Sequence, residues 1–569
     1  DLLTLGNTNA LGTGGLTING GTVGSSASTM VVAGNITVAG NFGLGTGSGN
    51  ALSGNIDLGG STRTITLNNS STLSGIVSNG GITLDSSSGS RSLTLTGINS
   101  YSGPSTVLGG TLALTGSGSL INSAVAVNGT SSAATFDISG VSGSGASVAS
   151  IASTTNGTVA LGGKTLTVGG DNSSTTVDGS VTGTGGVLVK NGTGTLTLSK
   201  ANTFSGGLTL NAGGIALGSS SALGTGTVTL NGGAIGSVTS SRTLANNFVV
   251  GGNITMGLGD QATTFSGNFD LGGANRTFTL DNSTTFNGSI TNGGLVFNAG
   301  ATGAKNITLG GSNSFAGGMT VNGGNTVRYT NGNSLGSGGV TLNSNSILRA
   351  TNSTTTTQDI TVSAGSTGYV EATAGTTNTL NGTLTKNGSV LVLGGGGTHV
   401  VNGSIVGANA NSDLYVSNST TTINSTNSYN GPTFVVAGGT LNNGADNALP
   451  TNTTMTLGQA GETSSMTNTY NLNGKSQIVT AVATAGSSIA VVTNSTGTGN
   501  LTLNSSVDKS ISNLTMGGSG LTLTKSGTNT VTLASGNTIG PGTIAIQQGT
   551  LLLGAANQIG DSKIGRAHV

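Results

Sequence analysis

Gly54-Asn55-Ile56-Asp57-Leu58-Gly59-Gly60, followed by Arg63-Thr64-Ile65-Thr66-Leu67, is written twice in this chain. It returns as Gly267-Asn268-Phe269-Asp270-Leu271-Gly272-Gly273, followed by Arg276-Thr277-Phe278-Thr279-Leu280, a shift of 213 residues. Ala10-Leu11-Gly12-Thr13-Gly14 returns in the same way as Ala222-Leu223-Gly224-Thr225-Gly226, a shift of 212. A large unit has been duplicated almost in register. An architecture that grows by stacking accepts this most easily, because each repeat touches only its neighbours.

A shorter module lies inside the long one. One copy reads Leu196-Thr197-Leu198, Asn202-Thr203-Phe204-Ser205-Gly206-Gly207, Leu208-Thr209-Leu210, Gly213-Gly214 and Ala222-Leu223-Gly224. Others run from Leu93 to Leu114 around Asn99-Ser100-Tyr101-Ser102-Gly103, and from Ile307 to Leu342 around Asn313-Ser314-Phe315-Ala316-Gly317. A fourth holds Asn427-Ser428-Tyr429-Asn430-Gly431 and Gly438-Gly439-Thr440-Leu441. A fifth, from Leu521 to Gly560, keeps Gly549-Thr550-Leu551 and has lost the aromatic residue. Ser131 to Ser153 and Glu462 to Val492 match the pattern less well.

Composition agrees with a solenoid and not with three or four ordinary globular domains. Only 6% of the 569 residues are charged, against roughly 25% in an average soluble domain, while 105 are Gly and 4 are Pro. The hydrophobic third is ordered: Leu93-Thr94-Leu95-Thr96 and Thr195-Leu196-Thr197-Leu198 alternate with period two. That alternation puts one face of a strand inward and leaves the other rich in Thr, and a disordered tract has no reason to keep it. The strands are read as four to six residues long, ending at Gly and Asn, which tolerate positive φ. At roughly 20–25 residues per coil and about 4.8 Å per rung, some 25 coils and a rod on the order of 120 Å are expected. Inward Leu, Ile and Val should form ladders. Tyr101, Phe204, Phe315 and Tyr429, at equivalent repeat positions, should fill one corner of the core. Asn and Thr should stack on their own kind along the axis.

The module resembles the autotransporter-associated β-strand repeat: a short strand, Asn-Thr-Tyr/Phe-Ser-Gly, a second strand, then Gly-Gly-Thr-Leu and often Ala-Leu-Gly. The resemblance implies an all-β, right-handed parallel β-helix, exported across an outer membrane by a C-terminal β-barrel. It also suits the absence of Cys, since disulfides would hinder export of an unfolded chain; a reducing compartment or chance explains that absence equally well. Residues 1–562 are expected to form one continuous passenger fragment. Asp1 opens in mid-pattern, so the N-terminus reads as a cut, with leader and barrel outside this sequence. Residues 563–569 lack the repeat pattern and resemble a translated sequencing adapter.

Little in the chain suggests catalysis. Zero net charge gives no field for nucleic acid, and no run of 18 apolar residues suggests a membrane helix. The only His residues are His399 and His568. His399 follows Gly394-Gly395-Gly396-Gly397-Thr398 and reads as an exposed imidazole in a loop; a hydrolase triad needs more than one lone base, and zinc needs three or four ligands. Gly163-Lys164-Thr165 and Gly474-Lys475-Ser476 look like phosphate-loop ends, but Thr158 and Thr469 stand where that motif has Gly, and no helix pattern follows. Asn-x-Ser/Thr triplets such as Asn35-Ile36-Thr37 are expected by chance at this composition. Parallel β-helices can also degrade polysaccharides with clustered acids. Here Asp57, Asp270, Arg63 and Arg276 recur with the repeat, which favours structural roles. Asp171, Asp178, Asp260, Glu371, Asp446 and Glu462 are scattered.

The reading is therefore an extracellular stalk or passenger of a bacterial surface protein, folding coil by coil during export, with no cofactor, no metal and no enzymatic activity. The alternative is an adhesin binding a surface glycan or a host protein along the helix, which exposed aromatics outside the repeat register would favour. A β-helix polysaccharide-degrading enzyme comes third.

Overall fold

The computed structural model describes the chain except residues 9, 27–29, 46–48, 87, 89, 130–131, 541, 557, 561–562 and 567–569, and describes only the backbone of residues 563–566. It is all β: the described residues contain short strands, one 3-10 turn at Gly332–Leu335 and no α-helix. Two compact units are distinguished, Asp1–Gly272 with Asp281–Thr284 and Gly273–Leu280 with Thr285–Val569.

In the first unit each coil supplies three short strands, as in Ile36–Val38, Phe42–Leu44 and Asn50–Leu52. Each strand pairs in parallel with the equivalent strand one coil on. Val32, Leu52, Leu73, Leu95 and Leu114 thereby stand in one inward ladder, and all are buried. Val, Leu and Thr alternate because neighbours in a strand point to opposite faces. Phe248, Phe265 and Phe269 close the core near the end of this unit, with Phe248 stacked on Phe269 at 4.5 Å between centroids.

Most strands span three or four residues, and two are far longer than expected: Ile56–Leu67 and Phe269–Leu280, the duplicated stretch, have 12 residues each. Each is two inward segments joined across a corner. Gly59 and Gly60 take φ of 66° and 73° there, a left-handed conformation that Gly adopts without a Cβ penalty, and the register beside them slips between Ser78 and Gly80. A second use of Gly is close approach. A Cβ on Gly54 would lie 2.0 Å from the Gly34 carbonyl oxygen, and one on Gly75 would lie 2.1 Å from that of Gly54. One corner of successive coils is thus packed backbone against backbone.

The second unit repeats the plan. Met319–Val321, Val340–Leu342, Ile360–Val362 and Leu384–Lys386 form one parallel ladder; Thr326–Tyr329, Ile347–Ala350, Thr367–Ala372 and Val390–Gly394 form another. Coil length is less regular than the sequence pattern suggests. Leu93 faces Leu112 in the first unit, while Thr440 faces Thr469 in the second, so a coil takes from 19 to 29 residues. The extra residues sit in corners, where loop length costs little. The backbone of Lys563–Arg566 pairs with Thr543–Ile546. His568 lies outside the described residues.

Candidate functional site: buried staples and an outward aromatic column

The four repeat aromatics Tyr101, Phe204, Phe315 and Tyr429 are all buried. Their polar ends obey a local rule. Tyr101 Oη lies 2.8 Å from Ser105 Oγ and Tyr429 Oη 2.6 Å from Thr433 Oγ1. Four residues after Phe204 and Phe315 stand the buried Leu208 and Met319. A buried phenol needs a partner and a phenyl ring does not.

Sequence reasoning passed over the Asn two positions before each aromatic, although it stands in every copy of the motif. Asn202 Oδ1 accepts from Val181 N–H at 2.7 Å, one coil back, and Nδ2 donates to the Ala222 carbonyl at 2.6 Å, one coil on. Asn99 makes the same pair of bonds to Val77 and Ser119, and Asn313 to Ile290 and Ser334. Asn427 bridges Ile405 and Ala448. In the fifth copy Asn537 still accepts from Leu514 N–H at 3.0 Å, although Ile539 replaces the aromatic. Asn99, Asn202, Asn313 and Asn427 are each a staple across three coils, whereas Asn537 Nδ2 donates back to the Ile511 and Ala534 carbonyls. Exposed Asn residues also form chains of their own, as Asn191, Asn211 and Asn231 do at 2.8 Å per link.

Asp57 and Asp270 cap the corner of the long strands. Gly59 N–H donates to Asp57 Oδ1 at 2.8 Å and Gly272 N–H to Asp270 Oδ1 at 2.9 Å. The Gly59 amide, and after it Asn79, hold the Asp57 carboxyl below its ordinary range. Arg63 Nε donates to the Leu58 carbonyl at 2.9 Å. Arg276 is half-buried in Phe269–Leu280. Other acids are held locally: Asp178 accepts from Ser199 Oγ, Asp446 from Ser476 N–H, and Glu462 from Ala437 N–H and Asn468 Nδ2. Asp171 accepts from Ser173, Glu371 pairs with Arg349, and Asp260 is exposed. Thr165 and Ser476 each open a strand, not a helix.

His399 corrects the sequence reading. It is not an exposed loop residue but fully buried in the strand Thr398–Val401. Its Nε2 lies 2.9 Å from the Gly394 carbonyl oxygen, and Nδ1 has no hydrogen-bond partner among the described residues. Burial draws its pKa down to about 4. The Gly tract is a corner, and the alternation resumes at Thr398, which turns His399 inward together with Val401.

Three Lys residues are buried as well: Lys190, Lys386 and Lys525 occupy inward ladder positions. Lys190 Nζ donates to the carbonyls of Asn191 and Gly192 at 2.5 and 3.0 Å. Lys386 Nζ donates to the Ser412 carbonyl and lies over the Tyr429 ring. Each cation ends in backbone carbonyls at a corner.

One outward face of the second unit carries a column that the repeats do not need. Register places Ile347 beside Tyr369, Tyr369 beside Val392, Val392 beside Tyr415 and Tyr415 beside Phe434. All five are half-buried, and the Tyr415 and Phe434 rings stack at 4.3 Å. Val392 is shorter than its neighbours, which leaves a groove of about 330 Å3 between Tyr369 and Tyr415, edged by Thr367, Ser417 and Gln459. Sequence could not place this column, because its members are 46 and 19 residues apart and meet only once each coil length is known.

The passenger-associated-transport-repeat family matches four segments, residues 88–114, 188–217, 301–328 and 523–553. These coincide with four of the five modules; the segment around Tyr429 is not among them, though it keeps the Asn427 staple. Comparison with curated proteins returned no match, and comparison with solved structures returned none. Four such repeats on stacked parallel strands match an autotransporter passenger region built of β-strand repeats, and they suggest a passenger domain of a secreted surface protein.

Proposed function

We propose that the chain is the stalk of such a passenger, folding coil by coil as it leaves the membrane, and that in the full protein a C-terminal barrel anchors it to an outer membrane. The observation that carries this reading is the Asn staple. Each staple is completed only when the following coil arrives: Asn202 holds Val181 N–H behind it and waits for the Ala222 carbonyl ahead. At the four staples the arriving coil completes a bond that the Asn left open, so its addition is favoured and its retreat opposed.

The reading assigns no catalytic role: Asp57, Asp270, Asp178, Asp446 and Glu462 are each held in local hydrogen bonds, and His399 lies in the core. Adhesion is the second reading, favoured by the outward column Tyr369, Tyr415 and Phe434, which lies outside the repeat register. Mechanical pulling on the chain tests the stalk reading. Unfolding in successive steps that each release about one coil, roughly 70 Å of extended chain, is the expected result. A single all-or-none event in each unit contradicts it.

A further inference from the structure

The outward column of the second unit is a ring stack with one rung missing. Tyr415 and Phe434, on adjacent rungs, lie face to face with centroids 4.3 Å apart and planes 16° from parallel. The stacked pairs Phe248–Phe269 and Phe278–Phe286, by contrast, are buried and fill the core. On the other side of Tyr415 the register runs to Val392 and then to Tyr369. Val392 is thus flanked on both sides by a ring and carries none itself, and the groove of about 330 Å3 opens above it.

We propose that the Val392 rung is an intercalation site for a small, flat, uncharged heteroaromatic molecule of one or two fused rings. Tyr369 and Tyr415 stand two rungs apart, about 9.6 Å at the spacing of parallel strands. A ring placed midway is about 4.8 Å from each, within the separation at which stacked aromatic pairs attract. The chain already makes this contact one rung on, between Tyr415 and Phe434, so a bound ring completes a continuous stack from Tyr369 to Phe434. A puckered, saturated ring has no π face to offer the two tyrosines, so the slot selects a planar one. No charged side chain lines the groove among the described residues, and an ion would lose hydration there without a partner. Thr367, Ser417 and Gln459 at the rim supply donors and acceptors for a ring heteroatom or carbonyl. Apolar walls with a few polar groups at the edge make a binding groove rather than a bare hydrophobic patch. Both tyrosines are set by strand register rather than by a loop, so little ordering is needed to bind. The site does not depend on the export reading, since it uses only the outward face of one unit.

The test is a ligand-observed proton NMR titration of the full chain with carbostyril and with indole. The comparisons are δ-valerolactam, which keeps the lactam of carbostyril and lacks the aromatic ring, and methyl glucoside. At least one bicyclic probe should bind, and its ring protons should shift upfield, the mark of a ring held between two others. Tyr369→Ala and Tyr415→Ala should each weaken binding about tenfold or more. Val392→Phe supplies the missing ring from the chain itself and removes neither wall, and it should weaken binding by at least as much. Unchanged far-UV circular dichroism separates these effects from misfolding. The proposal is overturned if neither bicyclic probe binds, if the saturated lactam or the glucoside binds as tightly, if the bound ring protons do not move upfield, or if a folded Tyr369→Ala or Val392→Phe variant binds like the parent.

Discussion

The ammonium of Lys386 lies 3.5 Å from the centroid of the Tyr429 ring. The two residues are two coils apart in one ladder, and Gly407 between them has no side chain to fill the space. A repeat aromatic thus serves as the lid of a buried cation. The ring face and the Ser412 carbonyl favour the charged amine, as does Asp413, but burial is the larger influence and draws Lys386 down to about 7 from 10.5.

A pH dependence follows. Between pH 7 and 10 the unfolded chain keeps the proton on Lys386 and the folded chain releases it, so stability rises with pH across that window. Below pH 7 both states hold the proton, and the fold carries the whole cost of burying the cation. Above pH 10 the buried Tyr429, whose hydroxyl is pushed up by burial, acts in the opposite direction. The rise between pH 7 and 10 should be on the order of 4 kcal/mol. Lys386→Met should remove the larger part of the slope in the second unit, Lys525 keeping a part of its own because burial lowers it too, and should stabilise that unit at pH 7, less about 1 kcal/mol for the Ser412 carbonyl left without its donor and less the counter-charge that Asp413 loses. Urea unfolding followed by the near-ultraviolet signal of tyrosine, at several pH values, measures both.

The aromatic and the residue four positions on should be coupled. Phe204→Tyr puts a hydroxyl against Leu208 in the core, an unsatisfied group costing about 1–3 kcal/mol. Adding Leu208→Thr should restore part of that loss by recreating the Tyr429–Thr433 pair, although Leu208→Thr alone destabilises. The coupling energy of this double-mutant cycle should favour the double variant by about 1 kcal/mol or more; strict additivity would mean that the hydroxyl finds another partner.

Staples should matter more than the exposed Asn chains. Asn202→Ala strands the Val181 N–H and the Ala222 carbonyl in the interior, a loss of about 2–4 kcal/mol. Asn211→Ala breaks two exposed links, and water takes their place at about 0.5 kcal/mol. Native-state hydrogen exchange should show faster opening of the coils around Val181 and Ala222 in the first variant and little change in the second.

Much of this was open to reading in the sequence, because period two and the module copies are properties of order along the chain. Leu93-Thr94-Leu95 states which face turns inward, and the recurrence of Tyr101, Phe204, Phe315 and Tyr429 states that these positions are equivalent. The same alternation also aims Lys386 inward beside Leu384, and His399 inward beside Val401. There the identity of the residue, charged or next to a Gly tract, argued against the pattern, and the pattern prevailed because carbonyls at the corners receive the polar ends. The Tyr369–Tyr415 groove was not legible. It depends on coil lengths, which vary with corners that have no periodic signature.

His399 gives the chain an acid-sensitive point. Its pKa of about 4 in the fold compares with 6.5 for the free side chain, since burial opposes the charge more than the Gly394 carbonyl supports it. Between those values the unfolded state takes up a proton and the folded state does not, so stability falls as pH drops from 6.5 to 4, by about 3 kcal/mol in all. Above pH 6.5 the residue is neutral in both states and makes no pH-dependent contribution. Lys386 contributes no slope in this acid window, because both states hold its proton there, so the two residues act in separate ranges. His399→Gln retains a donor for the Gly394 carbonyl and cannot titrate. It should unfold with the same urea midpoint as the parent at pH 7.5 and a higher one at pH 4.5. Parallel loss of stability in parent and variant between those pH values would place the acid sensitivity in carboxylates such as Asp57, whose depressed pKa makes its own contribution vanish on acidification.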